Sequence, residues 1–212
     1  MADNYLEKKF EEYQEKKLVK HKINKSHIAL DSLLLKNRSY RGYDKSYIVK
    51  REELIEIVKV NNKIPSARNQ QVLRFKLALG EDADFITKNI KLGGALPELH
   101  LPFKGTEPNA YIIVCSTVPE NKWVDIDLGI SSQSMLLKAV EIGLNGICIG
   151  AFNKNEIVKQ FNLKLEPILI IAIGKGLEKI QILPISQEDN INYFRENGIH
   201  YVPKIKIDNL II

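Results

Sequence analysis

The chain has 212 residues, 44% of them hydrophobic, and a net charge of +5; that is enough apolar material for a full core, with one main domain expected. No apolar run approaches the ~20 residues needed to cross a bilayer, and Met1–Lys9 lacks the apolar stretch of a secretory signal. The lysines are spread along the chain without a helix-turn-helix, zinc-finger or aromatic nucleic-acid signature, so a cytoplasmic protein with neither a nucleic-acid nor a membrane partner is expected.

In chain order, residues 3–22 are polar with Leu6, Phe10 and Tyr13 at helical spacing and Glu12/Lys16 in i,i+4 support, predicting an amphipathic helix. It belongs to a helical extension over 1–34, ahead of a main domain at 35–212. Residues 28–36 predict a second helix leading into the turn Arg38-Ser39-Tyr40-Arg41. Residues 51–60 predict a third, with Leu54, Ile57 and Val58 on one side, ending before Pro65. After the turn Ile64–Gln71, Leu73, Phe75, Leu77 and Leu79 alternate with Arg74, Lys76 and Ala78, the pattern of a half-buried strand.

Residues 84–109 read as a helix followed by a long irregular excursion with Gly93-Gly94, Pro97, Pro102, Gly105 and Pro108. Within it His100-Leu101-Pro102-Phe103 offers a polar tip and a ring, suited to a lid. The runs 111–118 and 167–174 are continuously apolar, as in strands covered on both faces, and 146–151 is a shorter one. Residues 127–144 form a helix apolar on most sides, with Gly129, Ser131, Ser132 and Ser134 small. It is therefore expected at the domain centre or at a subunit interface, ended by Gly143 and Gly146. Asn153 with Glu156 opens a capped helix at 154–161. Cys115 and Cys148 sit in apolar runs without a CxxC and read as buried thiols in a reducing compartment.

The chain has no HExxH, GxSxG or phosphate-loop motif, and no GxGxxG follows a strand. Gly174-Lys175-Gly176 is an incomplete phosphate loop. The four histidines share no metal-ligand spacing, and no metal is expected. Such a chain borrows its reactivity from a cofactor. Arg38–Arg41, cationic with a hydroxyl, suits a phosphate; Pro65-Ser66-Ala67-Arg68-Asn69-Gln70-Gln71, amide-rich and compact, suits a flat heteroaromatic ring. Together they point to a phosphorylated cofactor such as flavin mononucleotide (FMN). The competing reading pairs Arg38 and Arg41 with Glu52 or Glu53 and makes Ser66 and Asn69 plain turn formers after Pro65.

The ordered set Arg-Ser-x-Arg at 38–41, Pro-Ser-Ala-x-Asn-x-Gln at 65–71, Asp127–Leu137 and Gly143–Phe152 resembles the FMN-dependent nitroreductase family. The likeness covers residues 35 to 176, and the C-terminal tail loosely. It implies an α+β fold, a central mostly antiparallel sheet flanked by helices, in an intertwined homodimer with FMN at the subunit interface. By the same resemblance Arg38, Ser39 and Arg41 take the phosphate and ribityl end. Pro65, Ser66, Ala67, Asn69 and Gln71 take the flavin or ribityl chain of the partner's site. Ile149 and Gly150 bring backbone against the ring, Lys204 stands at a C-terminal phosphate-binding position, and Asn89 is a candidate for an amide facing the flavin. Asn37 replaces a second basic residue of the first motif, and Val72-Leu73 replaces a common Pro-Trp. The implied activity is reduction of nitroaromatics, quinones or similar acceptors by NADH or NADPH in a ping-pong cycle. The flavin carries the chemistry and no side chain is catalytic. The alternative is a specialised relative without general reductase activity, such as a dehalogenase, a flavin-processing protein or a sensor. A second subunit would also cover the apolar tail that ends in Leu210-Ile211-Ile212.

Overall fold

The two longest apolar runs become neighbouring central strands. In the computed structural model, which describes residues 29–94, 99 and 101–212, β2 (Ala110–Ser116) and β4 (Glu166–Gly174) pair antiparallel. β1 (Leu73–Leu79) adds to β2 and β3 (Asn145–Ile149) to β4, both antiparallel, giving the order β1-β2-β4-β3. Side chains alternate across the sheet. Tyr111, Ile113 and Cys115 join a core with Ile86 of α3 (Glu81–Lys88) and Ile157 of α5 (Lys154–Phe161). Ala110, Ile112 and Val114 join the opposite core with Leu54 and Ile57 of α2 (Arg51–Val58) and with Met135 and Ala139 of α4 (Lys122–Glu141). Coverage on both faces is why neither run alternates with polar residues.

α1 (Leu30–Lys36) lies where the second helix is expected. The expected helix at 3–22 lies outside the described residues, as does His100. α2 stops at Val58 and tightens into a 3-10 turn over Lys59–Asn62. α4 begins five residues earlier than expected because Asn121 caps it, its side chain accepting from the amides of Trp123 (3.0 Å) and Val124 (3.4 Å). Gly143, at φ +83°, ends it: the Leu144 amide donates to Ala139 O at 2.8 Å and the Gly143 amide to Val140 O at 3.0 Å. Within 127–144 the apolar residues are buried or half-buried, with Met135, Leu136 and Ala139 in the core. Trp123 at 49% and Ile126 at 41% stay exposed in the added first turn, so a single chain covers the helix only in part.

Cys115 is buried, with desolvation pushing its thiol up to about 11. Cys148, expected buried, is exposed in the single chain because β3 is the sheet's edge strand and is covered there only in part, with Ser132 of α4 beside the thiol. Enough protein surrounds the sulfur for desolvation still to raise its pKa.

A second sheet was not anticipated. β5 (Lys179–Ile185), β6 (Phe194–Glu196) and β7 (Ile199–Ile205) form the order β5-β7-β6, with β5 and β7 parallel and β6 and β7 a hairpin. The hairpin turn is Asn197-Gly198, both at positive φ, the two-residue pair that matches strand twist. Beyond it, Ile207, Leu210, Ile211 and Ile212 are exposed.

Candidate functional site

The Arg38–Arg41 turn is fixed by close backbone packing. Ser39 bridges Gly146 of β3 in parallel fashion, and the Tyr40 amide donates to Gly146 O at 3.2 Å. Tyr43 is fully buried and donates to Tyr40 O at 2.8 Å. Gly174 lets this ring in, since a Cβ there would stand 2.7 Å from the ring, and at Gly176 a Cβ would overlap the Tyr40 ring.

Neither arginine pairs with Glu52 or Glu53. Glu53 instead accepts from the Tyr47 hydroxyl and, at 2.8 Å, from the Lys50 amide. Arg38 donates to Asn37 O at 2.5 Å and Leu34 O at 2.6 Å, covering the last carbonyls of α1, and burial lowers its pKa. Arg41 donates to Ser39 O at 3.0 Å and lies 5.0 Å over the Tyr193 ring. Its backbone amide donates to Glu178, which also pairs with Arg195 of β6. That carboxylate ties the second sheet to the Arg41 turn.

β7 completes this corner. His200, Val202 and Lys204 alternate along it and share one face. A cleft of about 250 Å³ is lined by Arg38, Ser39, Arg41, Tyr193, His200 and Lys204 among others, and no carboxylate is in its lining. Lys204, which a lysine-rich tail would supply by chance, is thus brought beside the three residues of the first motif.

The Pro65–Gln71 turn lies elsewhere. Arg68 (φ 51°), Asn69 (φ 53°) and Gln71 (φ 46°) are all left-handed; for Arg and Gln this costs on the order of 1 kcal/mol each. Ser66 Oγ accepts from the Gln71 amide at 3.3 Å, and Gln71 Nε2 donates to Asn69 Oδ1 at 3.0 Å. These are the bonds expected of turn formers, yet plain turn formation does not explain strain at Arg68 and Gln71. Underneath, buried Asp127 accepts from the Ala67 amide and from Gln70 Nε2, each at 2.7 Å. Sequence reasoning missed Asp127 as a positioning group; the available signal was a carboxylate opening an otherwise apolar helix.

Pro65, Ser66 and Gln71 line a separate cavity of about 150 Å³ with Asp127 and Ser131. Both motifs nevertheless hang on α4, because Asn37 Nδ2 donates to Gln133 Oε1 at 3.2 Å. Asp127 and Gln133 are six residues apart, about 9 Å along the axis and a third of a turn around it. One chain therefore presents the two motifs on different sides of one helix.

Ile149 is buried and Gly150 opens outward, with no atom within 4 Å of the position a Cβ would take. Asn89 is brought near this end of β3 by the bridge Ile90–Phe152, and its carbonyl accepts from the Asn153 amide at 2.8 Å. Its side chain donates to Phe85 O at 3.0 Å and so closes α3 rather than facing open space. Among the described residues no group of His, Cys, Asp and Glu could hold a metal ion, and no helix is long and apolar enough to cross a membrane.

Four antiparallel strands between two helical layers, with a cationic cleft at the edge strand, define a nitroreductase-like fold. The Nitroreductase family pattern matches residues 96–175. A nitroreductase family protein from Clostridium difficile 630 superposes with a TM-score of 0.56 at 25% identity, covering 70% of this chain and 85% of that one. A variant of an FMN- and NADPH-dependent nitroreductase from Sphigopyxis sp. strain HMH has a TM-score of 0.60 at 16% identity, covering 70% and 88%. A Methanocaldococcus jannaschii protein that carries the name nitroreductase is 32% identical over 57 residues, 27% of this chain and 29% of the relative. That match spans under a third of the curated relative's length. Over residues 96–175 the chain is similar to the nitroreductase family, and its fold is that of nitroreductase family proteins.

Proposed function

We propose that this protein is an FMN-dependent oxidoreductase that takes electrons from NADH or NADPH and delivers them to nitroaromatics, quinones or similar acceptors. The observation that carries the reading is the cleft in which Arg38, Ser39, Arg41 and Lys204 converge with no carboxylate in its lining. A dianionic phosphomonoester fits that charge, and charge-assisted bonds of this kind are about twice as strong as neutral ones. The absence of a GxGxxG fingerprint favours FMN over a dinucleotide flavin. The FMN and NADPH dependence of the Sphigopyxis neighbour supports the same cofactor and donor.

Bound there, FMN would supply the chemistry, accepting a hydride from the nicotinamide and passing it to the second substrate. The chain's part is to hold and orient. Arg38, Ser39, Arg41 and Lys204 would anchor the phosphate. The backbone at Ile149–Gly150 would lie against the ring, where Gly150 leaves room. Pro65, Ser66, Ala67, Asn69 and Gln71 would reach the flavin from a second subunit, because within one chain they face a different side of α4 from the cleft. No side chain need act as acid or base, so donor and acceptor can use one position in turn, with ping-pong kinetics.

Titration with FMN, followed by flavin fluorescence, tests the cofactor. Replacing Ser39 and Arg41 together by alanine removes two anchors worth roughly 1.5 kcal/mol or more each, so FMN affinity should fall at least about 100-fold with the fold retained. A wild type that takes up no FMN overturns the reading. FMN uptake without reduction by either nicotinamide moves the protein to a flavin-binding role without reductase activity. Intersecting rather than parallel steady-state lines with menadione would remove the ping-pong cycle.

A further inference from the structure

We propose that His200 is a phosphate ligand of this cleft, donating from Nε2–H as a neutral imidazole. The inference deepens the proposed function, rests on that reading for the identity of the phosphate, and adds a residue that no motif points to. His200 is 3% exposed, sits in the middle of β7 and lines the cleft between Arg41 and Lys204. Its Nδ1 is sealed from solvent and has no hydrogen-bond partner among the described residues. A neutral imidazole carries one N–H, and placing it on a sealed nitrogen without an acceptor wastes a buried donor. The proton therefore belongs on Nε2, the nitrogen that is not sealed, in a residue lining the cleft.

The surroundings keep the ring neutral. Burial lowers its pKa, the guanidiniums of Arg41 and Arg195 lower it further, and Glu178 opposes them. The Tyr193 ring lies 5.1 Å from the imidazole, and Arg38 and Lys204 supply the remaining charge in the cleft lining. Three cations then meet the anion as charges, while His200 contributes a directional donor that holds no charge of its own until an anion arrives. A phosphate dianion beside Nε2 would raise the ring's pKa, so its binding should draw a proton to His200 as pH falls toward 6.

The test compares wild type, His200→Gln and His200→Leu, with inorganic phosphate, FMN and riboflavin as probes. Phosphate binding is read by 31P line broadening and flavin binding by fluorescence. Glutamine keeps an N–H donor near Nε2; leucine keeps only volume. The expected result is FMN and phosphate affinity about tenfold weaker in His200→Leu, near wild type in His200→Gln, and riboflavin affinity equal in all three. The net proton change on phosphate binding includes the titration of phosphate itself, so the readout is the difference: wild type should take up more protons than His200→Gln. Equal FMN and phosphate affinities across the three proteins overturn the role of His200. A loss that includes riboflavin also overturns it, since that reports a packing defect. Phosphate binding that depends on His200 in a wild type that refuses FMN keeps this inference and overturns the proposed function.

Discussion

Asp127 shows what one buried side chain decides. It is 4% exposed and its two oxygens accept from the Ala67 amide and Gln70 Nε2. The two residues it holds flank Arg68, Asn69 and Gln71, all at positive φ, so the turn keeps a conformation its own sequence disfavours. Asparagine offers one acceptor where two donors converge. Asp127→Asn should therefore cost roughly 1–3 kcal/mol in urea unfolding. It should also speed tryptic cleavage after Arg68, which is exposed at the turn's tip. Unchanged stability and cleavage rate would show that the turn holds itself through Ser66, Asn69 and Gln71.

The glycines of β3 separate packing from ligand space within one element. At Gly146 a Cβ would stand 2.5 Å from Ala172 O of β4 and 2.7 Å from Leu136 Cδ2. A backbone carbonyl cannot rotate aside, so Gly146→Ala should destabilise by about 1–3 kcal/mol. It should also loosen the bridged Ser39 and with it FMN retention. Just past the strand's end, Gly150 has nothing within 4 Å. Gly150→Ala should change the stability of the flavin-free protein by less than about 0.5 kcal/mol, yet weaken FMN binding if the ring occupies that space. Thermal melts and FMN titration of the two variants give the comparison; matching effects would show that Gly150 has no ligand beside it.

At the scale of the whole molecule, the exposed apolar residues of α4 and α1 ask for a second subunit. α1 packs on α4. Leu30 (60%), Leu35 (63%), Trp123 (49%) and Ile126 (41%) stay exposed on the two, and the tail adds Ile207, Leu210, Ile211 and Ile212. Gly129, between Ile126 and Gln133 on the open side of α4, has no neighbour within 4 Å and would let another backbone approach. Interfaces of the obligate kind resemble a core cut in half. Light scattering should give twice 24.2 kDa at micromolar concentration. Ile126→Glu, tolerated where Ile126 already faces solvent, should yield a folded monomer with weakened flavin retention. A wild-type monomer would remove the shared site, and a monomeric variant with full FMN affinity would show that each chain binds flavin alone.

Periodicity and composition were sufficient for the central sheet and its flanking helices. Continuous apolar runs of strand length suit strands covered twice, as β2 and β4 are, and a period of two assigns β1 its buried side. The capping amides at Asn153 and the glycine at 143 likewise act through near neighbours in sequence, so they were legible. The start of α4 was not, because Lys122 and Asp125 are polar and its Asn121 cap gives only a short-range signal. The second sheet escaped notice because β6 has only three residues, β5 and β7 are interrupted by Pro184 and Pro203, and β5 pairs with β7 past an intervening strand. The motifs themselves, Arg38–Arg41 and Pro65–Gln71, were readable as turns rich in ligand-type side chains. The resemblance places Lys204 at the phosphate; tertiary structure alone brought His200 to the first motif and Asp127 beneath the second. Those meetings are set by strand register and helix phase, which bring together residues from 57 to more than 150 positions apart and which no local pattern records.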